Sequence, residues 1–408
     1  MRRARYAARA VLRGNRHSGG TGEIGESAVL QATADEIVNA RGQDFTSRER
    51  DDSALADLEI EFVDALDDLR GEWTMLAEKS GNIFSTWELI STWWRHFGAG
   101  REPIVVACRR RNGETLAIFP LYRQVVRRVP IVRFMGHGTA DQLGPVCAPS
   151  DLVASCHVLR SLLQQKVRRW EVFLGEQLPV TGGWTWSGVL GGRTVAHVAS
   201  PLIRMNGMTW DGFLAARSAN FRQQVRRRER NIFRRHDAEY RLVTSSNSLQ
   251  QELDTLFRLH RARWRDEFSR FSDQEAFQRE FAEIAQERGW LRLWFLELDG
   301  RAVAAWYGFR FCQADCFYQA GRDPSMDHEA PGFVLFSHTI RQAAAEGLHE
   351  YRLLQGDERY KYRFATEELP LETVALARRR IGRTALAVGV PLAKRSLFKP
   401  TVKAILDV

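Results

Sequence analysis

The run Leu353–Phe364, LLQGDERYKYRF, gathers reactive and charged side chains just past an apolar stretch. Loops at strand ends are where α/β folds carry their sites. Lys361 and Arg363 can neutralise phosphate. Asp357 or Glu358 could accept a proton, directly or through a water. An ordinary solvated loop with surface charge pairs has the same composition, so both readings stand at this point. Upstream, CFYQAG leads into a loop over Arg322–Glu329 and a helix start at Pro331-Gly332. Proline at the first helical position removes no needed donor, and Gly332 lets an anion approach the backbone. Free N–H groups at a helix start hold phosphate, although a turn followed by a cap reads the same way. A second Gly-rich loop, GHGTADQLG, carries His137 and Asp141, a pairing suited to acid–base work. Arg222, Arg226, Arg230 and Arg234 recur every four residues and line one helical face, either solvated or able to capture an anion.

The elements that must position these residues follow from periodicity. LEIEFVD alternates as a half-buried strand does, and FSTWELISTWWRHFG is a helix with Ser85 or Thr86 as its cap. PIVVACRRR and TLAIFPLYRQVV meet across Asn112-Gly113 as a hairpin. A strand, the Gly-rich loop, a helix at DLVASCHVLRSLLQQKV and a strand at WEVFLGEQL come next, and Thr181–Ser200 is weakly patterned. Three helices then lead to Gly289, a fitting residue just past a helix end. WLRLWFLELDG and RAVAAWYGFRF pair across Asp299-Gly300, and a third strand, a loop, a helix and a strand follow. Each half thus has leading helices, a hairpin, a third strand, a loop, a helix and a further strand. This predicts an α+β protein of two similar domains, each a mixed, mostly antiparallel sheet flanked by helices. The boundaries are a disordered basic leader over 1–54, domains over 55–200 and 201–370, and a basic amphipathic tail over 371–408.

The formal charge of +9 sits mainly in the leader, in Phe221–Arg235 and in the tail, and favours anionic partners. The tail could touch an anionic membrane surface. Five cysteines without a CxxC pair suggest no zinc or redox site and fit a reducing cytoplasm. No GxSxG, HExxH or P-loop motif is present.

Nine segments in order from Phe84 to Thr366, among them AIFPLYR, RFMGHGTADQLGPVCAP, NFRQQVRRRERNI, FYQAGRDP, PGFVLFSHTIRQAAAEGL and LLQGDERYKYRFAT, resemble the CelD/BcsL-type acetyltransferases of the GNAT superfamily. These are relatives of the FemAB-type aminoacyl transferases. The resemblance implies two GNAT-like domains, acyl-CoA as co-substrate with no metal, and a role near exopolysaccharide or envelope synthesis. The family often has a serine before the acid where Thr139-Ala140 precede Asp141 here. Under this resemblance Tyr318 and Gln319 flank the pantetheine arm, and a backbone N–H near Ala320 polarises the thioester carbonyl. Gly332, Lys361 and Arg363 are the phosphate candidates. Asp357 is the first candidate for the acceptor side and Asp141 the second. The expected acceptor is a small-molecule or saccharide amine. An aminoacyl-tRNA-dependent peptidyl transferase, with the Arg222–Arg235 face on tRNA, is the enzymatic alternative, and a non-catalytic scaffold is the other.

Overall fold

Short-range signals place the elements much as the sequence suggests. The Thr86 hydroxyl accepts from the Leu89 N–H at 3.3 Å and caps the helix that follows. Asp299 and Gly300 both take positive φ, 53° and 75°, the geometry that joins two twisted strands through a two-residue turn. The computed structural model describes residues 57–180, 182–264, 269–379 and 382. The expected leader, and the tail beyond 379 apart from 382, lie outside the described residues.

The first half runs β1 (Leu58–Val63), α1 (Arg70–Ser80), α2 (Trp87–Phe97), β2 (Glu102–Arg110), β3 (Thr115–Val126), β4 (Val129–Phe134), β5 (Val146–Cys147), α3 (Leu152–Ser161) and β6 (Val172–Pro179). α4 (Trp186–Leu190) and β7 (Arg193–Arg204) follow. The second half continues with α5 (Trp210–Ala215), α6 (Ala219–Arg235), β8 (Ala238–Leu242), α7 (Leu249–Trp264), α8 (Arg270–Asp273) and α9 (Glu275–Glu287). It ends with β9 (Leu291–Leu298), β10 (Arg301–Phe311), β11 (Ala314–Arg322), α10 (Pro331–Ala345), β12 (Glu350–Arg352) and β13 (Glu367–Ala377).

The architecture is mixed α+β, and the two halves join into one sheet. Its order is β1-β2-β3-β4-β6-β13-β7-β12-β11-β10-β9-β8, with β5 beside β3. β13 lies antiparallel to both β6 and β7 and so stitches the halves together. The first residues assigned to a tail, 371–377, are therefore a sheet strand, and its buried Leu371 and Val374 explain why. Most neighbours are antiparallel. The two parallel pairs, β4 with β6 and β11 with β12, each enclose a crossover helix, α3 and α10 respectively.

One core gathers α1, α2, α3, α7 and α9 on the sheet. The other gathers α5, α6 and α10 on the far face of the second half. α2 and α9 also meet across the halves, where Phe277 packs on His96 and Phe97, and Glu280 binds Arg95 and His96. The residues of both halves are thereby held in fixed register around the strand ends.

Candidate active site

A parallel strand pair that parts early leaves a cleft at its carboxyl ends, where open sheets bind ligands. β11 and β12 pair only over Ala314–Cys316 and Glu350–Arg352. Beyond Cys316, β11 runs on alone on that side to Arg322 while β12 turns into the loop at Leu354, whose φ is 58°. A bulge sits at the parting. Tyr307 faces Gln319 and Gly308 faces Phe317, so Tyr318 is the extra residue of β11. Such a residue is left out of the ladder and bends the strand.

On the α10 side of the parted strands lies a cavity of about 360 Å³. Trp306, Phe317, Phe333, Phe336 and Phe364 give it aromatic walls, and Ala320, Gly321, Arg322 and Gly332 line it as well. Gly332 is open: a Cβ there would meet only the Arg322 Cδ, at 3.8 Å. Gly321 is not, since a Cβ would stand 2.6 Å from the His260 backbone N. α7 therefore presses directly on β11. His260 fixes that contact by donating from Nδ1 to the Ala320 carbonyl at 3.1 Å, while the Ser269 hydroxyl donates to Nε2 at 2.7 Å. Burial lowers the His260 pKa to about 4, so the ring is neutral and serves as a strut.

The other side of the parting receives the loop after β4. The Tyr318 hydroxyl donates to the Thr139 carbonyl at 2.8 Å and accepts from Gln278 Nε2 at 3.3 Å. Asp141 accepts from Gln355 Nε2 at 2.6 Å, and Gln355 in turn accepts from Gln177 Nε2 at 3.0 Å. Burial pushes the Asp141 pKa up to about 6, against the Gln355 hydrogen bonds and the charge of Lys361, which pull it down. Its carboxylate lies close enough to Cys316 and Tyr318 to help raise both of theirs, after burial. A groove of about 280 Å³, lined by Asn82, Asp141, Arg204, Glu350, Arg352 and Leu354, opens beside it between the halves.

The remaining sequence candidates fall into place around this centre. Tyr318 and Gln319 are half-buried on β11, and Ala320 lines the cavity with Gly332. Arg363 stacks over the Phe221 and Phe333 rings, 5.1 and 5.4 Å from their centres, and bonds Gln224. Two candidates sit elsewhere than expected. Lys361 is buried, and its ammonium donates to the Gln355 carbonyl at 2.6 Å and pairs with Glu358 at 3.1 Å. Its ammonium is held by groups of its own loop. Asp357 is exposed on that loop, whereas Asp141 is the acid held at the parting strands. His137 does not pair with Asp141. Its Nδ1 lies 2.7 Å from the Glu176 carboxylate and its Nε2 accepts from Arg133 at 2.6 Å, inside the first half. Gln355 and His260 are the supports that sequence reasoning gave no site role. Gln355 stood within the chosen loop, but nothing local marks a partner 214 residues away.

No curated protein sequence matches the chain at a significant level. Among solved structures it is similar to FemX, with a TM-score of 0.58 at 10% identity, over 81% of this chain and 99% of that one. It is also similar to the C-terminal domain of a putative lysylphosphatidylglycerol synthetase from Agrobacterium fabrum, with a TM-score of 0.50 at 12% identity, over 79% and 96%. A conserved protein of unknown function from Bacteroides thetaiotaomicron aligns with a TM-score of 0.51 at 15% identity, over 78% and 100%. At these identities the likeness is one of fold. The stretch that builds the cleft is more specific: residues 219–362 match the family model of the acetyltransferase (GNAT) domain, and this half is of the GNAT N-acyltransferase type.

Proposed function

We propose that this protein transfers an acyl group from acyl-CoA to an amine, with the donor in the β11–β12 cleft and the acceptor in the groove between the halves. The observation that carries this reading is the parting of β11 from β12, with an aromatic cavity on one side and Asp141 on the other. The cavity suits a pantetheine arm, and the free edge of β11 offers amide partners to its peptide-like groups. A bulge amide near Tyr318–Ala320 stabilises the oxygen of the attacked carbonyl. The amine nitrogen bonds to the thioester carbon, its proton passes to Asp141, and the carbon–sulfur bond breaks to release the thiolate. A carboxylate with a pKa near 6 is ionised at neutral pH and still basic enough for that step.

Amino sugars or amino acids are the acceptors proposed, because Arg204, Glu350 and Arg352 give the groove both charges for zwitterionic or polar groups. The ordered CelD/BcsL-like segments support a place in exopolysaccharide or envelope synthesis. Loose, unpaired cysteines support a cytoplasmic setting, and among the described residues no helix is long and apolar enough to cross a membrane.

Adding acetyl-CoA should raise the melting temperature, and a screen of amino sugars and amino acids should find one that releases free thiol. No shift at millimolar acetyl-CoA ends this reading. A second reading, transfer from aminoacyl-tRNA, is favoured by one feature: Arg226, Arg227, Arg230 and Arg234 are exposed along α6. Salt-dependent tRNA binding without a CoA response selects it.

A further inference from the structure

We infer that Arg352 selects the acceptor by binding its carboxylate, so that the amine taken by the groove between the halves belongs to an amino acid with an apolar side chain. This rests on the groove being the acceptor side of the proposed transfer, and it narrows that reading. Arg352 ends β12, in register with Cys316, where the two parallel strands part. Asp141 reaches the same point from the first half, where its carboxylate accepts from the side chain of Gln355, three residues beyond Arg352, at 2.6 Å. Both charges act on the Cys316 thiol. Burial first raises its pKa to about 12, the Arg352 charge opposes the rise and the Asp141 charge adds to it. A cation and a proton acceptor thus stand together along one groove of about 280 Å³ that both of them line. An amine and a carboxylate a few bonds apart in one molecule can meet the two at once.

The count of occupied donors singles out Arg352. Arg204, the other cation of the groove, is spent: its Nη1 bonds Glu350, and its Nε and Nη2 bond Glu367 at 3.2 and 2.9 Å. Arg352 is not. Its Nε donates to Glu350 and its Nη1 to the Gly81 carbonyl, both at 2.7 Å, and its Nη2 has no partner among the described residues. Those two bonds hold the guanidinium still, while 24% of the side chain stays exposed. A fixed guanidinium with spare N–H groups is matched to a carboxylate. Neutral groups that would select sugar hydroxyls are occupied instead. The Ser80 hydroxyl donates to the Ala77 carbonyl at 2.7 Å and the Ser85 hydroxyl to the Asn82 carbonyl at 2.8 Å. The Asn82 amide donates to the Gln142 carbonyl at 3.3 Å and accepts from the Phe84 N–H at 3.1 Å. Leu143, Pro145, Leu152, Leu202 and Leu369 supply apolar wall, which matches a hydrocarbon side chain.

Apolar amino acids, their carboxamides and glucosamine test this on the full chain, by thiol release from acetyl-CoA and by calorimetry with CoA present. At least one amino acid should exceed its own carboxamide by about tenfold in kcat/KM and in affinity, the worth of one charge-assisted contact, and should exceed glucosamine. Arg352→Gln should abolish that preference, chiefly by raising the KM of the amino acid, and Arg352→Lys should recover part of it. Because Arg352 also ties β12 to Gly81, the wild type alone decides if Arg352→Gln folds poorly. Equal use of acid and carboxamide, or a preference for glucosamine, overturns the carboxylate site while acyl transfer stands. A preference for the acid that persists in well-folded Arg352→Gln overturns it too. Amino-acid binding that depends on Arg352 without thiol release upholds the site and removes the acyl-CoA reading. Neither binding nor thiol release with any of these probes overturns the inference, and the melting shift with acetyl-CoA then decides whether the wider reading survives.

Discussion

Two β–α–β crossovers among the described residues begin alike and end differently. β4 pairs with β6 over Ile131–Arg133, and β11 pairs with β12 over Ala314–Cys316, after which each pair parts. In the first half the space beyond the parting is filled. Arg133, His137 and Glu176 bond one another there, Arg133 is fully buried, and Trp93 holds the His137 carbonyl at 3.1 Å. Burial raises the Glu176 pKa, but His137, Arg133 and Arg270 outweigh it and keep the carboxylate below its usual value. In the second half the same space holds aromatic rings and a cavity, with Asp141 reaching in from the first half. A network of buried charges resists opening because each partner would be stranded. Aromatic walls can exchange their contents for a ligand at little cost. One plan thus yields a charged wedge in one half and an open aromatic cleft in the other, which the proposed function takes as the donor site.

The largest effect expected is at the junction of the two. Asp141→Asn should lower kcat/KM by about 10²–10⁴-fold, the usual worth of a positioned base. The same variant should be more stable than wild type at pH 8. An unfolded Asp loses its proton near pH 4 and Asp141 does so near 6, so the folded state binds the extra proton between them. Wild-type stability should therefore fall as pH rises from 4 to 6 and then level off, a loss on the order of 2 kcal/mol that the asparagine escapes. Melting curves at pH 4.5 and 8 check the sign, and the rate itself should climb through pH 6 to a plateau.

Breaking the filled cleft should do the reverse. Glu176→Gln removes the buried carboxylate that faces His137 and Arg133 and should cost about 3 kcal/mol in urea unfolding. Donor affinity should stay as it was, which separates the wedge from the binding site.

Two glycines sharpen the contrast within the open cleft. Gly321→Ala drives a methyl group against the α7 backbone and should lower stability by about 1–3 kcal/mol and raise the donor KM. Gly332→Ala meets open space, so it should leave stability nearly unchanged and reveal any ligand pressed against that helix start through KM alone.

The smallest effect concerns tuning. Gln355→Ala removes the side-chain hydrogen bond that favours the charged form of Asp141. The pH–rate curve should move to higher pH, by about one unit at most. A shift to lower pH contradicts the placement of that carboxylate.

Local chemistry was legible in the sequence: the Thr86 cap, the Asp299-Gly300 turn and the Pro331-Gly332 helix start all lie within a few residues of what they shape. The stitching of the halves was not. β7 falls partly in the weakly patterned stretch because its first eight residues are exposed or half-buried, so they show no clean alternation. Residues 371–377 of β13 sat in a segment read as a tail, although their partners in β6 and β7 lie far upstream. The site divides the same way. Gly332 was chosen from local pattern and lines the cavity, and Arg363, chosen the same way, stacks on its wall residue Phe333. Lys361 was chosen for its charge, but charge does not say whether an ammonium meets solvent or the carbonyls of its own loop. Asp141 outranks Asp357 only because folding brings it to Gln355.

Hydrogen exchange read by mass spectrometry, with and without acetyl-CoA, tests the difference between the clefts most directly. The account predicts slower exchange in Phe317–Arg322 and Gly332–Val334, and no change in Ile131–His137 or Val172–Gln177. Slowing confined to the β4–β6 segments, or none in β11 while acyl transfer proceeds, contradicts it.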